Sequence, residues 1–161
     1  MNFSEEQFNL IYKSHYARVN RLCLGYTHGD IMLSKDLTQD IFIKVWQNLS
    51  AFKNQSNVST WIYRIAVNTC LLELRKKKSI RFLDVQDQPV DSEDDPANKE
   101  EKLHQLYKCI ARLETSNKSI ILLELEGIPQ KEIAEIVGLS HEAVRVRIHR
   151  IKQELTKCVK K

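Results

Sequence analysis

Glycine and proline are scarce, with four and three copies in 161 residues. So few chain breakers leave little room for turn-rich β structure and favour helices. No stretch approaches the roughly eighteen consecutive apolar residues of a membrane span. The opening MNFSEEQFNL lacks the basic-then-apolar pattern of a secretory signal. The expectation is a cytoplasmic protein with no direct membrane insertion. The four cysteines, Cys23, Cys70, Cys109 and Cys158, contain no C-x-x-C pair, which removes the usual zinc and redox spacing. They read as reduced thiols, several packed like small apolar residues. No glycine-rich phosphate loop, metal-ligand cluster, or Ser/His/Asp or Cys/His set is present, and the five histidines are scattered. The expectation is a protein that is not an enzyme, with no catalytic residue, metal, cofactor or small-molecule substrate.

What is present is an uneven distribution of charge. The net charge is only +4, but Thr60 to Phe82 holds six Lys/Arg against one acid. Asp84 to Glu101 holds eight acids against one lysine, and from His141 onward there are seven Lys/Arg against two acids. Two basic segments flanking an acidic middle fit two nucleic-acid-facing units joined by a solvated linker.

Apolar periodicity divides the chain in the same way. Phe8, Ile11, Tyr12, Val19, Leu22 and Leu24 recur at helical spacing, THGD (Thr27 to Asp30) breaks the pattern, and Leu33, Leu37, Ile41, Val45 and Leu49 resume it. After the polar KNQSNVS, Ser59 or Thr60 can cap a helix, WIYRIAVNTCLLELRKKK, whose terminal lysines suit the negative end of its dipole. DVQDQPVDSEDDPANKEE has two prolines, no aromatic residue and dense negative charge, so it cannot bury enough apolar surface to fold alone. Beyond it, Leu103, Leu106, Ile110 and Leu113 form one helical stripe and Ile120 to Leu125 lie in another helix. The predicted class is all-α: two small helical domains, residues 4–78 and 102–161, joined by a flexible acidic linker, 79–101. Each core is small and marginal by itself.

QKEIAEIVGLSHEAVRVRIHRIKQEL, Gln130 to Leu155, reads as two helices hinged at a glycine. Ile133, Ala134 and Val137 give the first its buried face, Gly138 permits a left-handed turn, and Ser140 is a good N-cap. At 100° per residue, Ile148, Ile151 and Leu155 fall within about 40° of Val144 and make a buried stripe. Opposite lie Glu142, Val146, His149, Arg150 and Gln153, with Arg145 and Arg147 on the flanks. That is the layout of a helix-turn-helix, in which one face holds the partner helix and the other enters a major groove. Arginines there can pair with guanine edges or phosphates, and an exposed valine can meet a thymine methyl. Glu142, at its helix start, is accounted for by the dipole alone.

Two further faces stand out. On DLTQDIFIKVW, Asp36, Gln39, Asp40, Ile43 and Gln47 gather away from the buried Leu37, Ile41 and Val45. Such a face can be a protein interface, although from the residues alone a solvated helix surface is the favoured explanation. On the following helix Trp61, Arg64, Asn68, Leu71 and Arg75 share one side, while Ile62, Ile65, Ala66, Thr69 and Leu72 point elsewhere, toward a core. A ring to stack, guanidiniums for phosphate and an amide for a base edge suit unpaired nucleic acid. The alternative for Trp61 is a ring buried in the core.

In this order, DLTQDIFIKVW, then F-x(8)-WIYRIAVN with a basic tail, then EGIPQKEIAEIVGLSHEAVRVRIHRIKQEL, the chain resembles bacterial sigma factors of the sigma-70 family. Within that family it is similar to the small extracytoplasmic-function (ECF) group. The resemblance covers nearly the whole chain except the acidic linker. It implies a non-catalytic, two-domain helical protein that binds core RNA polymerase and directs it to promoter DNA. It implies that Asp36, Gln39, Asp40 and Ile43 dock on polymerase. It assigns Trp61, Arg64, Asn68 and Arg75, with the loop from Lys53 to Ser59, to the −10 element and capture of a flipped base. It assigns Arg145, Val146, Arg147, His149 and Arg150 to the −35 element, and the acidic linker to the polymerase active-site channel. An anti-sigma factor is an implied partner. Val146 departs from the small or polar residues usual at its position. Two other readings compete: a stand-alone helix-turn-helix regulator binding a palindrome as a dimer, and a helical adaptor with no salt-sensitive DNA binding.

Overall fold

In a computed structural model, which describes residues 5–52, 57–81 and 98–160, the side chains of 77–81 and 98–100 excepted, every regular element is helical. The first half holds α1 (Glu5–Tyr26), α2 (Ile31–Asn48), a short 3-10 turn (Leu49–Ala51) and α3 (Val58–Arg81). The second half holds α4 (Asn98–Ala111), α5 (Thr115–Leu125), α6 (Gln130–Val137) and α7 (His141–Lys160).

The break at THGD has the expected physical cause. His28 and Gly29 take left-handed conformations (φ 59° and 85°), and the Gly29 amide returns to the Leu24 carbonyl at 2.9 Å. Asp30 then caps α2 by accepting from the Leu33 amide at 3.1 Å. α1 and α2 pack as a hairpin, with Leu22 and Val19 buried against Leu37, Ile41 and Val45. The Ser34 hydroxyl, also buried, donates to the Asn20 side-chain oxygen at 2.8 Å and fixes the register of the two helices.

α3 starts earlier than its sequence suggests. The Trp61 amide bonds the Asn57 carbonyl at 3.1 Å, so Ser59 and Thr60 lie inside the first turn and cap nothing. Ser59 instead meets the His15 ring at 3.0 Å, while Thr60 is buried with its hydroxyl unpaired. At the other end the helix runs on to Arg81, past the lysine cluster. α4 begins at Asn98, inside the segment expected to be linker, and the linker residues 82–97 lie outside the described residues. Leu103, expected in a buried stripe, is half exposed, whereas Ile110 on the same helix is fully buried.

The two halves do not keep separate cores. One cluster of buried side chains runs from Val19, Leu22 and Tyr63 to Ile120, Leu123 and Ile133. α1 packs on α4 and α5, and α3 packs on α6. Gly25 is what allows α5 so close: a Cβ there would lie 2.2 Å from Leu122 Cδ2. The Tyr26 hydroxyl reaches across to Ser119 in a buried hydrogen bond. At the rim, Arg21 and Glu126 form a bidentate pair at 3.0 Å. With the Arg21 side chain 53% exposed, that pair contributes about 0–1 kcal/mol, so apolar contact must supply most of the attraction.

The expectation of four reduced cysteines is corrected. Cys109 on α4 and Cys158 on α7 form a disulfide, their Cα atoms 6.0 Å apart. Their 49-residue separation carries no local signal, and only the crossing of the two helices brings them together. Cys23 and Cys70 are free and buried, with sulfurs 3.7 Å apart across α1 and α3. Contact with Cys23 and burial hold the Cys70 thiol well above its ordinary range.

Candidate nucleic-acid and partner interfaces

The helix-turn-helix forms as its residues dictate. Gly138 is left-handed (φ 76°), and the Gly138 and Leu139 amides both return to the Ala134 carbonyl, at 2.9 and 3.1 Å. The Ser140 hydroxyl accepts from the Ala143 amide at 3.1 Å. Val144, Ile148, Ile151 and Leu155 are all buried, which fixes the rotation of α7. α6 buries Ile136 in addition to Ile133 and Ala134, whereas Val137 is only partly covered.

Four of the five α7 candidates are exposed: Arg145, Val146, His149 and Arg150. Arg145 lies 3.8 Å from Glu142, a pairing too loose to hold it from an incoming phosphate. His149 contacts Gln153 at 3.4 Å. Arg147 is different. It is partly buried and donates to Ser116 on α5 at 3.3 Å, so it braces the helix pair as well as bordering the face. Val146 is 43% exposed beside the arginines, as expected.

α3 presents a broader buried face than its spacing suggests. Ile62, Tyr63, Ala66, Val67 and Cys70 are all buried, because α1, α2 and α6 each pack on this helix. Leu71 packs on the core and Leu72 is half exposed, the reverse of the sequence reading. Trp61 is partly buried, its ring 4.9 Å from that of Phe52 and tilted by 36°. It is therefore part of the packing and also reaches the surface. Arg64, Asn68 and Arg75 are exposed along the same side. Arg64 donates to the Glu135 carbonyl on α6 at 3.2 Å, so one candidate for reading DNA is held by the other half of the chain. Residues 53–56, the centre of the loop expected to capture a base, lie outside the described residues.

On α2, Asp36, Gln39, Asp40 and Ile43 are all exposed. Gln39 and Ile43 border a groove of about 440 Å³ between α1 and α2. Its walls are largely aromatic: Phe8 lies edge-on to Trp46 at 5.1 Å, and Tyr12 edge-on to Phe42 at 4.9 Å. Trp46 stays 49% and Ile43 46% exposed, a large apolar surface flanked by carboxylates. Phe8 packs on the core with its edge against Trp46, while Tyr12 is exposed and meets Phe42, contacts that only the packing of α1 on α2 reveals. Among the described residues no group of His, Cys, Asp and Glu could hold a metal, and no helix is long and apolar enough to cross a membrane.

Comparison with known proteins places the chain in a family. A family model described as sigma-70 region 2 matches residues 11–80, and one described as sigma-70 region 4 matches residues 103–155. The ECF RNA polymerase sigma-E factor of Haemophilus influenzae is 30% identical, over 92% of this chain and 85% of that protein. The RNA polymerase sigma factor YlaC of Bacillus subtilis is 27% identical, over 91% of this chain and 88% of that protein. Among solved structures, the sigma factor RpoE of Bartonella quintana, in complex with the anti-sigma factor NepR, has a TM-score of 0.76 at 19% identity. That alignment spans 96% of this chain and 98% of RpoE. CnrH in complex with the cytosolic domain of CnrY has a TM-score of 0.76 at 20% identity, over 98% of this chain and 90% of that one.

Proposed function

This chain belongs to the sigma-70 family, in its extracytoplasmic-function group, and from that membership we propose how its surfaces divide the work of promoter selection. It is a transcription initiation factor that acts with core RNA polymerase to direct it to specific promoters. The observation that carries the division is the pair of separate exposed faces, basic on α7 and mixed aromatic, amide and guanidinium on α3.

The exposed face of α7 enters the major groove at the −35 element. Arg145 and Arg150 pair with guanine edges or phosphates, Val146 meets a thymine methyl, and His149 sits beside a phosphate. Arg147, tied to Ser116, positions the helix and contacts the backbone from its flank. On α3, Arg64 and Arg75 neutralise phosphates of the opened −10 strand, Asn68 meets a base edge, and Trp61 offers ring surface for stacking. Asp36, Gln39, Asp40 and Ile43 make the polymerase contact, and the adjoining aromatic groove supplies the apolar centre that such an interface needs. The protein itself catalyses nothing in this scheme. An anti-sigma factor is a further partner, in keeping with the NepR complex of the RpoE neighbour.

Each reading face alone binds weakly. Held on polymerase at fixed separation, the two read short elements together, because the second contact becomes intramolecular. The dimeric repressor reading leaves the first half without a task, and the region 2 match over residues 11–80 disfavours it. The test is transcription in vitro from a library of random promoter DNA, with core polymerase and with or without this protein. New start sites sharing two spaced motifs are the expected result. Binding of the chain alone to a palindrome, with no effect on core polymerase, would overturn the proposal.

A further inference from the structure

We propose that Cys109 and Cys158 form a reversible dithiol–disulfide couple that exchanges with small carboxylate-bearing thiols through a basic groove. The groove has a volume of about 440 Å³ and is lined by both cysteines. Its other lining residues are Gln105, Lys108, Arg112, Glu154 and Lys157, three cations against one acid. Such a field draws in an anionic thiol and stabilises the thiolate that attacks or leaves. Cys109 is only 4% exposed and Cys158 is partly exposed, so attack falls on Cys158. The other pair, Cys23 and Cys70, has sulfurs 3.7 Å apart but is sealed in the core. The chain thus carries a shielded thiol pair as an internal comparison.

A polymerase factor works among reduced thiols, where a disulfide persists only as a transient or sensing bond. The inference rests on the proposed function for that compartment alone. A thiolate RS⁻ attacks Cys158 Sγ, the Cys158–Cys109 bond breaks, and Cys109 leaves as a thiolate that takes a proton. A second RS⁻ attacks the R-side sulfur of the mixed disulfide, releasing Cys158 as a thiolate and forming RSSR. Two small thiols are oxidised as the protein disulfide is reduced to two thiols; RSSR drives the reverse. The bond ties the final turns of α7 to α4, closing a loop across the whole second half. Reduction frees the end of the helix whose first turns carry the exposed arginines.

The test equilibrates the purified full chain in reduced and oxidised glutathione, then alkylates it and identifies labelled cysteines by mass spectrometry. The expected result is a reversible two-electron transition confined to Cys109 and Cys158, with the reduced form melting about 10 °C lower. Reduction by glutathione, which is anionic, should outpace that by cationic cysteamine by about tenfold at low salt, after correction for thiol pKa. The triple variant Lys108→Gln/Arg112→Gln/Lys157→Gln should lose that preference while keeping the bond. Persistence of the bond in excess reduced glutathione, or thiols that stay free in excess oxidised glutathione, would overturn the couple. Equal rates for the two reductants would overturn the anionic ligand class. The titration uses neither polymerase nor DNA, so its failure is separable from failure of the promoter reading.

Discussion

Replacing Gly25 by alanine gives opposite signs for two states of the molecule. Gly25 lies in the last turn of α1, where alanine improves helix propensity by at most about 1 kcal/mol. If the two halves stood apart, Leu122 would not face the new methyl and the gain in helix propensity would stand. In the packed structure the methyl would lie 2.2 Å from Leu122 Cδ2 and 2.9 Å from Cδ1. Leu122 is buried on α5, so it must leave its rotamer or α5 must retreat. Overpacking of this kind costs about 1–3 kcal/mol, which exceeds the helix gain. The expected net is a destabilisation of about 1–2 kcal/mol, read as a fall in Tm of roughly 2–6 °C. A double-mutant cycle with Leu122→Ala isolates the contact, because the smaller side chain leaves room for the methyl. Coupling of at least about 1 kcal/mol is expected. A raised Tm for Gly25→Ala, with additive behaviour in the cycle, would refute the shared core. The answer bears on function because the same packing holds Arg64 against the Glu135 carbonyl. Arg64 is exposed and makes that contact through one nitrogen, so its other N–H donors remain available to a phosphate.

Three further outcomes are expected. Ile43→Asp places a charge in the exposed apolar centre beside the aromatic groove; co-purification with core polymerase should fall at least about tenfold with the thermal melt unchanged. Arg150→Ala should weaken promoter occupancy by about 1–3 kcal/mol, measured by footprinting on matched promoters, and the loss should vanish when the −35 element is scrambled. Burial pushes the Tyr26, Tyr63 and Tyr107 phenols above their ordinary 10.0. The unfolded chain therefore releases these protons first as pH rises. The tyrosines' contribution to stability should be fully present below about pH 9 and decline above 10, at up to about 1.4 kcal/mol per pH unit for the fully buried Tyr26 and by less for Tyr63 and Tyr107, which lie nearer the solvent. Denaturant melts across that range check the sign.

Much of the geometry of the candidate α7 face was legible because its causes are local. The α7 face follows from a 3.6-residue period, and the burial of Val144, Ile148, Ile151 and Leu155 left Val146, His149 and Arg150 no other direction to point. The errors lie where a second helix decides. Leu72 and Leu103 carry apolar side chains at core-like spacing, yet no element covers them fully. Tyr63 and Val67 were passed over because α1, α2 and α6 all pack on α3, which spacing along the one helix does not record. Ser59 and Thr60 are ordinary capping residues, but Asn57 occupies the position that α3 uses.

By itself the sequence determined the helical class, the glycine-hinged helix pair, the face α7 turns outward, and the order of motifs that marks the family. Each depends on residues within a few turns of one another, where backbone geometry ties spacing to direction. Only the tertiary structure decided that the halves share one core, that Arg21 meets Glu126 105 positions away, and that Cys109 meets Cys158. Those pairings depend on how close two helices can approach. That distance is set by side-chain volume at each contact, down to the missing methyl of Gly25, and no periodicity along one chain records it.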